Sequence, residues 1–130
     1  METLAAGAMI LVVDDEENAR EGLSKILTKE GYRVDTAANG KEAVDSLKHH
    51  SYDLVITDMR MPLMDGFEVL REIKKMKESI GVIMITAYGE VESYLEAMNM
   101  GAFEYINKPV RVNELKRVIA KMLEAGRKAS

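Results

Sequence analysis

The fold of this chain is decided by residues 9–17, MILVVDDEE, in which five apolar residues run directly into four acidic ones. A short, continuous apolar run predicts a strand that is covered on both faces, as the strands of a parallel sheet are. A second run of this kind, LVIT at residues 54–57, is followed at once by Asp58. Because the carboxyl ends of parallel strands meet at one edge of a sheet, the two runs predict that at least three carboxylates converge there.

Outward from these two runs, five apolar segments alternate with five stretches of helical periodicity, which predicts an α/β domain with a mostly parallel sheet. Asp35 and Glu104 interrupt the second and fifth segments, so we place those two strands at the edges. Right-handed crossovers then favour a doubly wound sheet of five parallel strands in the order 2-1-3-4-5, with helices on both faces. The predicted strands are residues 9–13, 33–37, 54–57, 82–86 and 103–106.

The composition indicates one globular domain, residues 1–130, with its core between about residues 9 and 123. Hydrophobic residues make up 47% of the chain and charged residues 31%, a balance that favours folding over disorder. The net charge of -4 supplies no positive field, so direct nucleic-acid binding is not expected. No signal peptide or membrane-spanning run is visible in the sequence, so we expect a cytoplasmic location without membrane contact. The absence of cysteine excludes thiol chemistry.

The acids at the two strand ends, Asp14, Asp15 and Asp58, predict a metal site. Like charges held within a few ångströms repel one another, so such a cluster is tolerable chiefly when a hard divalent cation binds it. Oxygen ligands without His or Cys favour Mg²⁺ or Mn²⁺ over zinc. The acids of residues 14–17 taken alone have a plainer explanation, which is that they cap the first helix and complement its dipole.

Thr86 ends the fourth predicted strand and Lys108 follows the fifth, so a hydroxyl and an ammonium group are expected at the same sheet edge as the acids. Together these groups describe a site that handles an anion beside a metal. A carboxylate can act there as a nucleophile toward phosphorus and form an aspartyl phosphate, provided that a metal and a cation neutralise the transferring oxygens. Asp58 is placed for that role.

Motifs spread along the chain also carry a family resemblance. They are ILVVDDE at residues 10–16, DLVITDMRMP at 53–62, MDG at 64–66, ITA at 85–87 and GAFEYINKP at 101–109. In these motifs the chain resembles the receiver domain of two-component signalling, the phospho-accepting module of response regulators, from about residue 9 to residue 123. The resemblance implies the flavodoxin-like three-layer sandwich of that family, whose strand order is the one predicted above.

The resemblance also implies roles at the acidic edge. Asp58 resembles the phosphoacceptor. Asp15 resembles the direct Mg²⁺ ligand, and Asp14 resembles an acid that acts on the metal largely through water. The backbone carbonyl of Arg60 resembles a further metal ligand.

Three more residues resemble the parts of a phosphorylation switch. Thr86 is similar to the hydroxyl that binds a phosphoryl oxygen, and Lys108 is similar to the cation that pairs with another. Tyr105 resembles the aromatic switch residue, and Lys108-Pro109 resembles the peptide bond that the family often holds cis. Arg60 and Tyr88 resemble the residues that flank the path of the hydrolytic water. Because both are large and neither is an acid or an amide, we expect a long-lived phosphoryl group.

The function that the resemblance implies is a signalling switch rather than a turnover enzyme. A sensor histidine kinase transfers a phosphoryl group to Asp58, and the face formed by the fourth helix, the fifth strand and the fifth helix then changes its packing. The domain assists its own phosphorylation and dephosphorylation. An output domain or a downstream protein reads the change, and a phosphorylation-dependent homodimer is consistent with the family. Residues 86–92, TAYGEVE, resemble receivers attached to nitrogen-regulation-type transcription activators, although Val110 stands where Phe is common.

Two other classes of protein fit part of the pattern. An aspartate-nucleophile phosphatase needs an acid two residues after its nucleophile, a spacing that Asp14 and Glu16 satisfy, but 130 residues leave no room for its cap insert. A flavodoxin-like electron carrier shares the topology, but its phosphate loop is rich in Ser, Thr and Gly, and the acids of residues 14–17 would repel that phosphate. Sustained turnover of a phosphate ester would favour the first class, and a coloured cofactor the second.

Overall fold

The computed structural model describes residues 7–76, 79–87 and 91–129, without the side chains of residues 91, 92 and 126–129. Five strands alternate with five helices along this part of the chain. The strands are β1 (Met9–Val13), β2 (Arg33–Ala37), β3 (Leu54–Asp58), β4 (Gly81–Thr86) and β5 (Glu104–Asn107). The helices are α1 (Glu17–Lys29), α2 (Gly40–His49), α3 (Gly66–Met76), α4 (Val91–Asn99) and α5 (Val112–Ala129).

The five strands are all parallel and lie in the order β2-β1-β3-β4-β5, which confirms the predicted topology. The predicted bounds of β1 and β2 are the observed ones. Those of β3 and β4 differ by one residue at one end, and those of β5 by one residue at each end. The difference matters in β3, because Asp58 is its last residue and not the first residue of a loop. Asp58 is therefore in register with Ile85 of β4, and its backbone belongs to the sheet.

The sheet separates two hydrophobic layers, and successive residues of β1 alternate between them. Leu11 and Val13 belong to one layer, together with apolar residues of α2, α3 and α4. Ile10 and Val12 belong to the other layer, which α1 and α5 cover. These four residues of β1 are each at most 1% exposed. Burial on both faces is the reason why the central strands need uninterrupted apolar runs. Among the helices of the described residues, none combines the length and the apolar character needed to cross a membrane.

The edge strand β2 shows how an acid is accommodated in the sheet. Asp35 is exposed on β2, and its Oδ2 accepts a 2.6 Å hydrogen bond from the Tyr52 hydroxyl. Burial of the phenol and the hydrogen bond to Asp35 raise the pKa of Tyr52 to about 12. The hydroxyl therefore keeps its proton at neutral pH and remains a donor to Asp35.

The start of α3 lies directly against the end of β3. Asp65 and Glu68 form a capping box, in which the Glu68 amide donates to Asp65 Oδ1 at 2.9 Å and the Asp65 amide donates to Glu68 Oε1 at 3.3 Å. The amide of Gly66 donates to the Met59 carbonyl at 2.9 Å. A Cβ at position 66 would lie 2.7 Å from the Asp58 carbonyl oxygen and 2.8 Å from Met59 Cα. α3 reaches this position only because residue 66 has no side chain.

We predict that Gly66→Ala lowers the free energy of unfolding by about 1–3 kcal/mol, because backbone atoms have to shift to admit the methyl group. Chemical denaturation measures the change. Gly22→Ala is the matched control, since Gly22 lies inside α1 and a Cβ there would have no neighbour within 4 Å. That substitution should raise the free energy of unfolding by about 0.5–1 kcal/mol, as alanine favours the helix. Equal effects at the two positions would contradict the packing argument.

Candidate functional site

Three acids meet at the carboxyl ends of β1 and β3. These strands are neighbours, with Val13 paired to Thr57, so the residues that follow in each chain segment, Asp14 and Asp58, lie side by side. One carboxylate oxygen from each of Asp14, Asp15 and Asp58 lies within 4.8 Å of the other two. Asp14 and Asp58 are 8% and 9% exposed, whereas Asp15 is exposed. The structure thus brings together the three acids that the sequence singled out.

Both oxygens of the Asp58 carboxylate have partners in the protein. Oδ2 accepts a 2.9 Å hydrogen bond from Lys108 Nζ. Oδ1 accepts a 3.2 Å hydrogen bond from the backbone amide of Arg60. The Thr57 hydroxyl also donates to the Asp58 carbonyl oxygen at 3.0 Å. These contacts and the pairing of β3 hold the carboxylate in one orientation at the sheet edge.

Lys108 reaches the acids from the end of β5. Its backbone amide donates to the Thr86 carbonyl at 2.7 Å, and the Lys108–Pro109 peptide bond is cis. The ammonium nitrogen lies 2.9 Å from Asp58 Oδ2 and 3.6 Å from Asp14 Oδ2. Burial by itself would lower the pKa of Lys108, but the hydrogen bond to Asp58 and the charges of both acids raise it overall. The side chain therefore stays charged at neutral pH.

Asp14 is held at four polar atoms. Its amide donates to the Ala37 carbonyl at 3.2 Å, and its carbonyl accepts a 2.9 Å hydrogen bond from Arg20 Nη1. Its Oδ1 accepts from the Glu16 amide at 2.9 Å, and its Oδ2 faces Lys108. Sequence reasoning missed Arg20, because nothing in the spacing of residues 14 and 20 indicates that a helical side chain turns back to the strand end.

The pKa of Asp14 is raised above its usual value. Burial is the largest cause, because it disfavours the charged form. The charges of Asp58 and Asp15 raise the pKa further, while the Glu16 amide and the Lys108 ammonium group lower it. Without a metal, the negative charge of Asp14 is therefore disfavoured by burial and by the other two acids, even though Lys108 lies among them.

Helix capping explains little of the acidic stretch at residues 14–17. Glu16 occupies the N-cap position of α1, but its side chain makes no capping hydrogen bond. Glu17 lies in the first turn, where a negative charge favours the helix dipole. Asp14 instead turns its carboxylate to the Glu16 amide and to Lys108. Helix capping and the helix dipole thus account for Glu17, whereas the contacts of Asp14 place its carboxylate with the acidic cluster.

The two residues that resemble the switch pair are both buried. Thr86 is 0% exposed at the end of β4 and is paired with Asn107 of β5. Tyr105 is 9% exposed, and its ring meets the ring of Tyr94 on α4 edge-on, with centroids 5.8 Å apart and an interplanar angle of 89°. This contact between β5 and α4 was not predicted, because no local pattern relates residues 94 and 105.

The residues expected to flank the water path are only partly placed. Arg60 is exposed beside the acidic cluster, with its amide bound to Asp58. Tyr88 lies outside the described residues, as do residues 89 and 90 of the stretch that resembles nitrogen-regulation receivers.

The donor set at this edge fits a hard divalent cation. Asp14, Asp15 and Asp58 offer carboxylate oxygens within a few ångströms of one another, and two of the three are buried. Hard cations such as Mg²⁺ prefer oxygen ligands of this kind. A bound cation would also relieve the repulsion that contributes to the raised pKa of Asp14.

The family model described as the response regulator receiver domain matches residues 10–120. The chain belongs to that family. Sporulation initiation phosphotransferase F of Bacillus subtilis is 40% identical over 114 residues, which cover 88% of this chain and 92% of that protein. Regulatory protein AtoC of Escherichia coli is 39% identical over 115 residues, which cover 88% of this chain and 25% of AtoC.

A solved structure shows the same likeness. Response regulator protein TrrA of Thermotoga maritima, in complex with Mg²⁺ and BeF, is 44% identical to this receiver domain, with a TM-score of 0.81. The match covers 88% of this chain and 98% of that one.

Family membership decides among the function classes that the sequence left open. The protein is a receiver domain of a response regulator in two-component signalling, and receiver domains are signalling switches rather than classical enzymes. This favours the switch over the phosphatase and the electron carrier. Homologues of this receiver domain include AtoC and ZraR, activators of the nitrogen-regulation type, in agreement with the resemblance noted in the sequence. The chain spans about a quarter of AtoC but nearly all of the sporulation protein.

We predict that Asp14→Asn raises the unfolding temperature of the metal-free receiver domain at pH 7. Folding raises the pKa of Asp14 above 3.8, so its contribution to stability is present below that pH and is lost as the pH rises through the folded value. The amide keeps an acceptor for the Glu16 amide but carries no charge. The advantage over wild type should therefore shrink as the pH falls from 7 towards 3.8.

Thermal unfolding in a chelator, followed by circular dichroism across this pH range, measures the effect. Glu21→Gln removes one exposed carboxylate from α1 and serves as the control, with a change in the free energy of unfolding of no more than about 0.5 kcal/mol. A variant that unfolds at a lower temperature than wild type at pH 7 would show that the contacts of the Asp14 charge outweigh the cost of its burial and the repulsion from Asp58 and Asp15.

Proposed function

We propose that this receiver domain accepts a phosphoryl group on Asp58 from a sensor histidine kinase in the cytoplasm, in a reaction that depends on Mg²⁺. The observation that carries the proposal is the joint position of Asp58, which is hydrogen-bonded to Lys108 at 2.9 Å and lies within 4.8 Å of two further carboxylates. A nucleophile, a cation and a set of metal ligands are thereby present at one sheet edge. The Mg²⁺ and BeF bound to TrrA, a similar receiver protein, support the same assignment.

The proposed chemistry is an in-line transfer in which the protein supplies position and charge. One oxygen of Asp58 attacks the phosphorus of a phosphohistidine, so that a P–O bond forms while the P–N bond breaks and the imidazole nitrogen keeps the bonding electron pair. Lys108, already beside Asp58, compensates negative charge on the phosphoryl oxygens.

The metal would be held by Asp14, Asp15 and Asp58, with the backbone carbonyl of Arg60 as a further ligand, and Asp14 would act largely through water. Mg²⁺ is the expected ion and Mn²⁺ an acceptable substitute, since both prefer oxygen ligands. When bound, the ion supplies positive charge to the transferring group.

The switch is proposed to run from Thr86 to the face formed by α4, β5 and α5. The Thr86 hydroxyl, buried at the end of β4, moves toward a phosphoryl oxygen. Tyr105 on β5 responds to the movement of Thr86, and its edge-on contact with Tyr94 transmits the response to α4. Tyr94 and Leu95 on α4 and Val112 at the start of α5 are exposed, so this face carries apolar side chains that a partner can bury. Phosphorylation shifts the population between two packings of the face.

The partners of the switched face are an output domain, a downstream protein or a second phosphorylated copy. The relatives support both kinds of output: AtoC is about four times the length of the matched region, whereas the sporulation phosphotransferase is hardly longer than it. The net charge of -4 favours protein partners over direct contact with nucleic acid.

We predict that Asp58→Asn abolishes phosphorylation. Incubation of the wild type with a small phosphodonor such as acetyl phosphate and Mg²⁺ should add one phosphoryl group, measured as a mass increase on the intact protein. The variant lacks the nucleophilic carboxylate and should gain none. Beryllofluoride, which mimics a phosphoryl group, should bind the wild type only when Mg²⁺ is present.

Asp53→Asn is the matched control, because Asp53 precedes β3 at its opposite end and its side chain accepts a hydrogen bond from the Met9 amide, which an amide oxygen can also accept. This control should be phosphorylated as the wild type is. Labelling of Asp58→Asn at the wild-type level would place the phosphoryl group on another residue.

We predict that Lys108→Ala uncouples the site from the switch. The changes in amide chemical shift around Tyr105 that beryllofluoride produces in the wild type should be strongly reduced. The variant lacks the ammonium group that draws the phosphoryl mimic toward the end of β5. Mg²⁺ affinity should rise, since the ammonium group at 2.9 Å and 3.6 Å from two of the acids competes with the metal. Lys116→Ala, which removes a lysine paired with Glu30 away from the acids, should change neither property. An unaltered response at Tyr105 would remove Lys108 from the mechanism.

A further inference from the structure

Arg20 connects α1 to the acidic edge through a backbone atom. The side chain starts on the first turns of α1, is half-buried, and donates from Nη1 to the Asp14 carbonyl oxygen at 2.9 Å. The guanidinium group thus binds the backbone at the point where β1 ends and the acidic stretch begins. Within the described residues, its partner is a carbonyl and not a carboxylate, so Arg20 does not act as a simple ion-pair partner of the cluster.

The carbonyl that Arg20 binds belongs to the same rigid unit as the amide of Asp15. A peptide bond is planar, so an orientation imposed on the Asp14 carbonyl is also imposed on the Asp15 amide and limits where the Asp15 Cα can lie. The preceding amide, that of Asp14, is bound to the Ala37 carbonyl. The backbone is therefore held on both sides of the Asp14 Cα.

Asp15 needs such support more than the other two acids. Asp14 and Asp58 are buried, and both their carboxylates have partners in the protein. Asp15 is exposed, and within the described part of the chain its carboxylate has no hydrogen bond or ion pair. Its position within 4.8 Å of the other two carboxylates must then come from the backbone that carries it.

We infer that Arg20 is a positioning residue for the metal site, which sets the direction of Asp15 by holding the peptide unit between Asp14 and Asp15. The inference rests on the proposed function to the extent that the metal is Mg²⁺ bound by these acids. The effect on the backbone is a property of the protein without metal and can be measured separately.

An electrostatic role and a positioning role for Arg20 predict opposite changes in Mg²⁺ affinity when the residue is replaced. A positive charge near an acidic cluster opposes the binding of a cation, so its removal on grounds of charge alone should tighten Mg²⁺ binding. Loss of a group that orients a ligand should weaken binding, because metal affinity falls when outer residues that hold the ligands are removed. The sign of the change in affinity therefore separates the two roles.

The experiment compares the full chain with Arg20→Gln and Lys25→Gln by calorimetric titration with Mg²⁺ alone. Lys25 is an exposed residue of the same helix, so its substitution removes the same charge without touching Asp14. Arg20→Gln should weaken Mg²⁺ binding by about tenfold. Lys25→Gln should bind Mg²⁺ as the wild type does, or slightly more tightly. Arg20→Gln that binds Mg²⁺ as tightly as the wild type, or more tightly, would overturn the inference.

A second measurement needs no metal. Amide hydrogen exchange and chemical shifts of Asp15 and Glu16 are recorded in the presence of a chelator. Arg20→Gln should increase hydrogen exchange at the Glu16 amide and shift the amide resonances of both residues. Lys25→Gln should leave exchange and shifts as in the wild type. Unchanged amides in Arg20→Gln would overturn the inference on the positioning role itself. If Asp58 of the wild type cannot be phosphorylated, the proposed function is overturned. The amide measurements on the metal-free protein would still decide the role of Arg20.

Discussion

The contact between Lys108 and Asp58 is the interaction on which the geometry of this receiver domain's site depends. Three carboxylates meet at one sheet edge, two of them buried, and burial without a compensating cation is costly for charged groups. The ammonium group lies 2.9 Å from one buried acid and 3.6 Å from the other, which makes it the protein's own counter-charge. Because it arrives from β5 while the acids follow β1 and end β3, the balance exists only when the whole parallel sheet is assembled.

Each part of the site is held by backbone as well as by side chains. The amide of Lys108 is bound to the Thr86 carbonyl, and Asp58 is in register with Ile85 inside the sheet. The absence of a side chain at Gly66 lets α3 approach the end of β3, and Arg20 reaches back from α1 to the Asp14 carbonyl. Such a framework keeps charged groups at fixed separations. In the proposed switch, a change in charge at Asp58 is relieved by movement of nearby groups, and the contact between the Tyr105 and Tyr94 rings links β5 to α4.

The fold was predictable because a parallel sheet constrains its strands strongly. Strands that are buried on both faces must be continuous apolar runs, and the bounds read from those runs differ from the observed ones by one residue at most. Asp35 correctly indicated that β2 is an edge strand, because an exposed acid is tolerated there. The sequence did not show that the Tyr52 hydroxyl donates a hydrogen bond to it. The acids of residues 14–17 were ambiguous between helix capping and a site, and the side-chain contacts of Asp14 and the bare N-cap of Glu16 resolved that ambiguity.

The class of sheet, its strand order and the sheet edge that carries the site could be read from the residues alone, because periodicity and crossover handedness are local or nearly local properties of the chain. The residues at that edge are Asp14, Asp15, Asp58, Thr86 and Lys108. The contacts between these groups depend on how the elements pack in three dimensions. The hydrogen bond of Arg20 to a strand-end carbonyl, the edge-on packing of Tyr94 on Tyr105 and the fit of Gly66 against Asp58 join elements that are separate along the chain. Contacts of this kind depend on where two elements pack in space and on the direction of a side chain or carbonyl, and neither property leaves a periodic signal in the residues concerned.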